Sequence, residues 1–252
     1  MTLLTLARDL RRRKAREKHA LFVAEGVRCV EELLRSGLVV RGALVAPQLI
    51  EAPRGQTLRR LLDSSAVEVM EISDKDFRSA AETESPQGVL AVAEVPARNL
   101  DTLETGDVCR LLLLDGIQDP GNAGTIVRTA AALGATATIA LPGTVDLWNA
   151  KVVRSSMGAQ FEHPALHAGL EETFDFLERR KIELWVTEAG GEALTAAEAP
   201  ARLAIALGNE GSGVTTPVRS KSRKSVALRI APKVDSLNVA VAAGIILYEL
   251  RA

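Results

Sequence analysis

The stretch LLLLDGIQDPGNAGTIVRTAAALGA (111–135) runs from four leucines through a glycine-bearing loop into an alanine-rich helical segment that stops at Gly134. A short continuous apolar run bounded by turn residues is a strand buried on both faces, as in parallel sheets. A strand that feeds a helix directly is the first half of a β-α-β unit. The same alternation continues outward. Thr136–Leu141, Glu183–Thr187, Arg202–Leu207 and Val226–Ile230 read as strands, and Leu147–Met157, Leu170–Arg180 and Ser236–Leu250 as helices. Residues 108–252 are therefore expected to form an α/β domain on a parallel sheet, with its ligand at the carboxyl ends of the strands. Gly116, Gly121 and Gly124 do not form G-x-G-x-x-G, and no Gly-Lys-Ser/Thr follows. A dinucleotide fingerprint and a phosphate-cradling P-loop are both excluded.

Upstream, residues 1–95 carry a second, smaller α/β pattern. Its expected strands are Leu21–Ala24, Val39–Val45, Val67–Ile72 and Gly88–Val95; its expected helices are Val27–Arg35, one near Gln56–Asp63, and one capped at Ser73. The polar, breaker-containing stretch 96–107 reads as a linker between the two. A chain of 252 residues is long enough for two such cores. With 47% hydrophobic and 25% charged residues it is a globular protein rather than a disordered one. No apolar run approaches the ~20 residues of a membrane span. Charge follows the short apolar start of the chain, the reverse of a secretory signal. Cys29 and Cys109 give neither metal spacing nor a disulfide framework, so a cytoplasmic setting is expected.

A net charge of −1 argues against a generic nucleic-acid binder, but the charge is unevenly placed. Arg8, Arg11, Arg12, Arg13, Lys14, Arg16 and Lys18 face only Asp9 and Glu17, and Arg219, Lys221, Arg223 and Lys224 form a second cluster. Such concentration suggests a polyanion docking at particular places; a solvated helix face and a loop are the alternative. Aromatic residues are only 3%, so base stacking on rings is not the mode.

Three segments carry candidate chemistry. In the first, Asn122 lies where the helix begins, and Arg128 is a lone cation among Ile126, Val127, Thr129 and Ala130. It either faces solvent or aims at a phosphate or a reacting oxygen. The second, RLAIALGNEGSGV (202–214), feeds a strand into a turn in which Gly208, Gly211 and Gly213 flank the single charge of Glu210. Taken alone this is a weak signal, and a tight structural turn is the better account of it. In the third, LRIAPKVDSLNVAVAAGIILYEL (228–250), Ser236 can cap a helix whose apolar positions 239, 243, 246 and 250 form a packing stripe, and Asn238 is a polar group that packing does not require. No H-E-x-x-H and no G-x-S-x-G occurs, and no metal is expected.

Taken together, N-A-G-T-I-V-R (122–128), L-G-N-E-G-S-G (207–213) and D-S-L-N-V-A-V-A-A-G (235–244) resemble the three ordered motifs of the SpoU/TrmH family of RNA ribose 2′-O-methyltransferases. Arg154-Ser-Ser-Met-Gly-Ala159 resembles an intervening R-x-S-x-G-A element. The segment R-K-A-R-E-K-H-A-L-F-V-A-E-G-V-R (13–28) is similar to the start of that family's accessory RNA-binding domain. The resemblance implies a parallel α/β domain closed by a deep trefoil knot, preceded by a small α/β domain related to ribosomal RNA-binding proteins. It also implies S-adenosylmethionine as cofactor, held by Leu207, Gly208, Asn209, Gly211, Ile230 and Leu237. One departure is visible: the loop Ile230-Ala-Pro-Lys-Val-Asp-Ser236 is shorter than the family's, and this bears on Ile230 most.

Arg128 matches the family's catalytic arginine. With a pKa of ~12 or more it is a poor general base, so its implied role is to hold a phosphate and stabilise the developing oxyanion. Asn122, Glu210, Ser236 and Asn238 match polar positions that orient this arginine, the ribose and the cofactor. Arg11, Arg12, Arg13, Lys14 and Arg16 are the expected RNA contacts. A separate N-terminal domain favours ribosomal over transfer RNA, and the small-residue C-terminal helix implies a homodimer. A non-catalytic RNA-binding protein on the same fold is the competing reading, against which the retention of all five polar residues argues.

Overall fold

The computed structural model describes residues 1–194, 199–231, 233–234 and 236–250. Asp235 and Pro232, both in the third motif segment, lie outside the described residues, as does the end of the chain after Leu250. The chain forms two compact units, Met1–Ala97 with Trp148–Glu162, and Arg98–Leu147 with His163–Ala252.

The first unit begins with helices α1 (Leu3–Asp9) and α2 (Arg13–His19), followed by β1 (Leu21–Glu25), α3 (Val27–Arg35), β2 (Val40–Val45), α4 (Pro53–Asp63), β3 (Val69–Glu71), α5 (Asp74–Ala80) and β4 (Val89–Glu94). The sheet order is β1-β4-β2-β3, with β4 antiparallel to both neighbours and β2 parallel to β3. Successive strand residues point to opposite faces, and here both faces are covered. Phe22, Ala24, Val89, Ala91 and Ala93 pack beneath α3 and α4. Val23, Leu90 and Val92 pack with Ala7, Leu10 and Phe77 of the α1–α5 side. Ser73 caps α5 through a 3.1 Å bond from the Asp76 amide, as the sequence suggests.

The second unit is built on β5 (Cys109–Asp115), α6 (Pro120–Ala132) and β6 (Ala137–Ala140). The chain then passes through α7 (Ala150–Ser155) and α8 (Ala159–Glu162) and continues as β7 (Ala165–His167), α9 (Leu170–Arg179), β8 (Glu183–Ala193), β9 (Arg202–Gly208), α10 (Thr216–Lys221), β10 (Lys224–Ala227) and α11 (Val239–Glu249). All six strands are parallel, in the order β10-β8-β9-β5-β6-β7. Leu111, Leu113, Ala204 and Ala206 turn to one face, with Phe176, Leu177 and Val218 of α9 and α10. The alternate residues Leu112, Leu114, Ile205 and Leu207 are equally buried, which is why the strands read as continuous apolar runs. Helices α6 and α11 pack on each other.

Three features differ from the sequence reading. Trp148–Glu162, expected within the 108–252 domain, belongs to the first unit: Trp148 and Phe161 close on Phe22 with ring centroids 4.6 and 5.8 Å away. In the R-x-S-x-G-A element, Gly158 has φ +91° and would set a Cβ 2.5 Å from Glu32 of α3. Arg154 lies 3.8 Å from the buried carboxylate of Glu25. The expected linker 96–107 is partly docked, since Leu100 and Leu103 are buried in the second unit's core. Strand β10 also starts two residues early and ends before Leu228, so Ile230 is not in a strand.

Candidate functional site

The strand order creates a crevice. From β5 the chain leaves through α6 to β6; from the adjacent β9 it leaves through α10 to β10, on the far side of β8. The two exits diverge at the carboxyl ends, a topological switch point of the kind at which open α/β sheets bind ligands.

Both exit loops are braced at this point. Asp115, buried at the end of β5, accepts the Thr215 amide at 2.6 Å. Asn209 donates from Nδ2 to the Gly116 carbonyl at 3.0 Å, and its Oδ1 accepts the amides of Gly211 and Ser212. Asn209 and Gly213 also exchange backbone bonds, so 209–213 is a closed turn with Glu210 exposed at its tip. Gly208 is required there, because a Cβ would sit 2.2 Å from the Gly213 backbone. Asp119, with Pro120 following, caps α6 by accepting the Asn122 amide at 2.8 Å.

Three of the five expected catalytic residues meet in one chain of hydrogen bonds. Asn238 donates from Nδ2 to Asn122 Oδ1 at 3.0 Å, and Asn122 donates from Nδ2 to Glu210 Oε1 at 2.5 Å. Asn238, rather than Ser236, caps α11: its Oδ1 accepts the amides of Ala240 and Val241. The helix starts at Val239, which puts Ser236 two residues before the cap. The stripe Val239, Ala243, Ile246 and Leu250 is buried as expected. Arg128 is exposed on α6, which begins at Pro120, two residues before Asn122, so that Arg128 falls in its third turn.

Beside this chain lies an open cavity of about 400 Å³, within the ~300–1,000 Å³ usual for small-molecule sites. Ile230, Leu237, Val226 and Ala242 give it an apolar wall; Thr187, Glu188 and Ser236 are polar. Of the six expected cofactor residues, Ile230 and Leu237 line it; Leu207, Gly208, Asn209 and Gly211 do not. Leu207 is 1% exposed and belongs to the sheet core, and the Asn209 side chain is spent on closing its own turn. Asp115 and Glu188 were not singled out in sequence. Asp115 had a signal, a charge ending a run of four leucines. Among the described residues no group of three His, Cys, Asp or Glu side chains is placed to hold a metal ion, and no helix is long and apolar enough to cross a membrane.

In the first unit, Arg11, Arg12, Arg13 and Lys14 are exposed. Arg12 pairs with Asp9, and Arg13 with Glu17 at 2.7 Å. Arg16 departs from the expected set. It is 5% exposed and donates from Nη1 to the carbonyls of Leu10 and Arg11 at 2.7 and 2.9 Å. A buried guanidinium bonded to the α1–α2 connection is a structural strut, not a surface contact.

The SpoU rRNA Methylase family matches residues 110–248, and the MRM3-like substrate binding domain matches residues 5–91. The chain is 32% identical to the 23S rRNA (guanosine(2553)-2′-O)-methyltransferase RlmP of Bacillus subtilis, covering 97% of this chain and 94% of that protein. It is 30% identical to a 23S rRNA (uridine(2479)-2′-O)-methyltransferase of Streptomyces viridochromogenes, covering 94% and 84%. The crystal structure of the SpoU methyltransferase AviRb from the same organism, in complex with the cofactor AdoMet, superposes with a TM-score of 0.89 at 29% identity, covering 99% of this chain and 97% of that one. By its sequence, its two-unit fold and the motif residues gathered at the switch point, the chain belongs to the SpoU rRNA methylase family.

Proposed function

We propose that this protein transfers a methyl group from S-adenosylmethionine to a ribose 2′-hydroxyl of ribosomal RNA. The observation that carries the reading is the Asn238–Asn122–Glu210 chain, which gathers one residue from each motif at the switch point, beside a cavity of cofactor size. The residues around that cavity fit the cofactor: an apolar wall from Ile230, Leu237 and Ala242 suits adenine, and Glu188 and Ser236 offer polar contacts. When bound, S-adenosylmethionine supplies an electrophilic methyl group on its sulfonium.

In this reading the protein's work is alignment and charge placement. Arg128 holds a backbone phosphate next to the target ribose and stabilises the alkoxide as its proton leaves to the phosphate or a water. Asn122, fixed between Asn238 and Glu210, orients the ribose. Arg11, Arg12, Arg13 and Lys14 supply phosphate contacts from the first unit. The trefoil threading implied by the family belongs to the same proposal. So does a homodimer through α11, whose outer face presents Val241, Ile245 and Tyr248 at 52%, 40% and 54% exposure. Labelled methyl transfer to purified ribosomal and transfer RNA, with mapping of the modified nucleotide, tests the assignment. Incorporation into ribosomal RNA at one ribose is expected; incorporation into transfer RNA alone, or none, overturns it.

A further inference from the structure

Strand β8 leaves its ladder where it reaches the cavity. Trp185 and Val186 pair with Lys224 and Ser225 of β10, and the next pairs are Glu192 with Val226 and Ala193 with Ala227. Thr187 to Gly191 therefore stand out of register on that side, a longer excursion than the single residue of an ordinary bulge. Gly191 brings the strand back, since a Cβ there would meet the Val226 backbone at 2.6 Å. The excursion puts Thr187, Glu188 and Ala189 on the cavity wall.

Glu188 is the one titratable side chain among the described lining residues. Its Oε1 pairs with Arg219 Nε, and Ser225 Oγ donates to its Oε2 at 2.8 Å. Arg219 also donates from Nη2 to the Val214 carbonyl at 3.1 Å, which ties the carboxylate to the loop after β9. Residues 184–186 before the excursion are buried, whereas 187–191 are half-buried or exposed, so core packing does not demand the break. A partly exposed ion pair stabilises too little to account for it. A carboxylate has about four acceptor positions, and these two partners leave one open on each oxygen. Adjacent Arg219 makes the pair neutral, so it attracts a second cation weakly while it still accepts from neutral hydroxyls.

We infer that Glu188 reads the ribose of the cofactor itself, its two oxygens accepting the 2′- and 3′-hydroxyls of S-adenosylmethionine. The inference rests on the reading of this cavity as the cofactor site. The register break exists to present that carboxylate, and Arg219 and Ser225 hold it in one orientation.

Calorimetry with S-adenosylhomocysteine, whose sulfur is neutral, and with its 2′-deoxy and 3′-deoxy analogues tests this on the full chain. Glu188→Gln and Glu188→Ala are expected to weaken S-adenosylhomocysteine by on the order of 10- to 100-fold. The deoxy analogues should bind wild type more weakly by a similar factor, yet lose little further in the variants. Glu188→Gln is nearly isosteric and remains informative if Glu188→Ala fails to fold. Ala242→Phe, which fills the cavity, should abolish binding of every ligand. If it does so while the Glu188 variants bind within about twofold of wild type, the cavity holds the cofactor but Glu188 does not read it. Weakened S-adenosylmethionine with unchanged S-adenosylhomocysteine would place Glu188 at the sulfonium and overturn the inference. Unchanged binding in Ala242→Phe would defeat the cavity assignment first.

Discussion

Asn238 Nδ2 donates to Asn122 Oδ1 at 3.0 Å, across 116 residues of sequence. The direction of that bond is forced. Asn238 Oδ1 is committed to the Ala240 and Val241 amides at the start of α11, so only its Nδ2 can face outward. Asn122 must then present its oxygen to Asn238 and its nitrogen to Glu210. One helix cap thus sets the polarity of a three-residue relay. Asn238→Asp retains the capping oxygen but replaces the donor with an acceptor. Its thermal midpoint should stay near wild type, while methyl transfer falls by at least tenfold. Asn238→Ala should lose both, with about 1 kcal/mol of stability. Calorimetric unfolding and initial rates of the two variants check this, and equal activity of Asn238→Asp and wild type would remove the relay from the mechanism.

Arg128 stands on α6, and the cavity wall is made by other segments. Arg128→Ala is therefore expected to abolish methyl transfer and leave cofactor affinity within several-fold of wild type. Calorimetric titration separates the two effects; lost cofactor binding would move Arg128 into the cofactor site.

His163 gives the protein a pH-dependent stability. It is buried, its Nε2 lies 2.9 Å from Thr138 Oγ1, and burial, with a smaller contribution from Arg98, pushes its pKa down to about 4. Unfolded histidine titrates near 6.5, so between the two values the unfolded chain binds the extra proton. The neutral ring's stabilisation is complete above pH 6.5 and is lost as pH falls toward 4. Thermal midpoints should drop over that window in wild type and more gently in His163→Gln; parallel curves would assign the acid loss elsewhere.

Much of this was legible from local pattern. Helix Val27–Arg35 and the buried run Leu111–Leu114 follow from period and punctuation, and the structure keeps both. What escaped depended on contacts made at a distance. Arg16 looks like its neighbours in a basic run until α2 turns it toward the carbonyls of Leu10 and Arg11. Ser236 and Asn238 are both good capping residues, and only the start of α11 chooses between them. Trp148 and Phe161 join the first unit through Phe22, more than a hundred residues earlier. The excursion at Thr187–Gly191 is a change of register, to which apolar periodicity is blind.

The outer face of α11 sets a test of assembly. Val241, Ile245 and Tyr248 recur at the spacing of one helical stripe and are exposed, opposite the buried stripe of Val239, Ala243, Ile246 and Leu250. Sedimentation should give a dimer at micromolar concentration for wild type and a monomer for Ile245→Asp. A wild-type monomer would reject the self-association reading of this face.

The basic arm separates surface charge from structural charge within one short segment. If Arg11, Arg12 and Arg13 contact phosphates, log–log plots of RNA affinity against salt should have a slope of roughly −0.7 per contact on single strands. Changing all three to Gln should then make the slope shallower by about two. Arg12 and Arg13 are also engaged by Asp9 and Glu17, but these are exposed pairs that an incoming phosphate can exchange at little cost. S-adenosylmethionine affinity should not change. Arg16→Gln is expected to do the opposite. Its guanidinium is buried against two carbonyls, so its loss should lower the thermal midpoint and leave the salt slope as it was. An unchanged slope in the triple variant would reject the arm as an RNA contact and direct attention to Arg219, Lys221, Arg223 and Lys224. A shallower slope in Arg16→Gln, with the midpoint intact, would return Arg16 to the surface set.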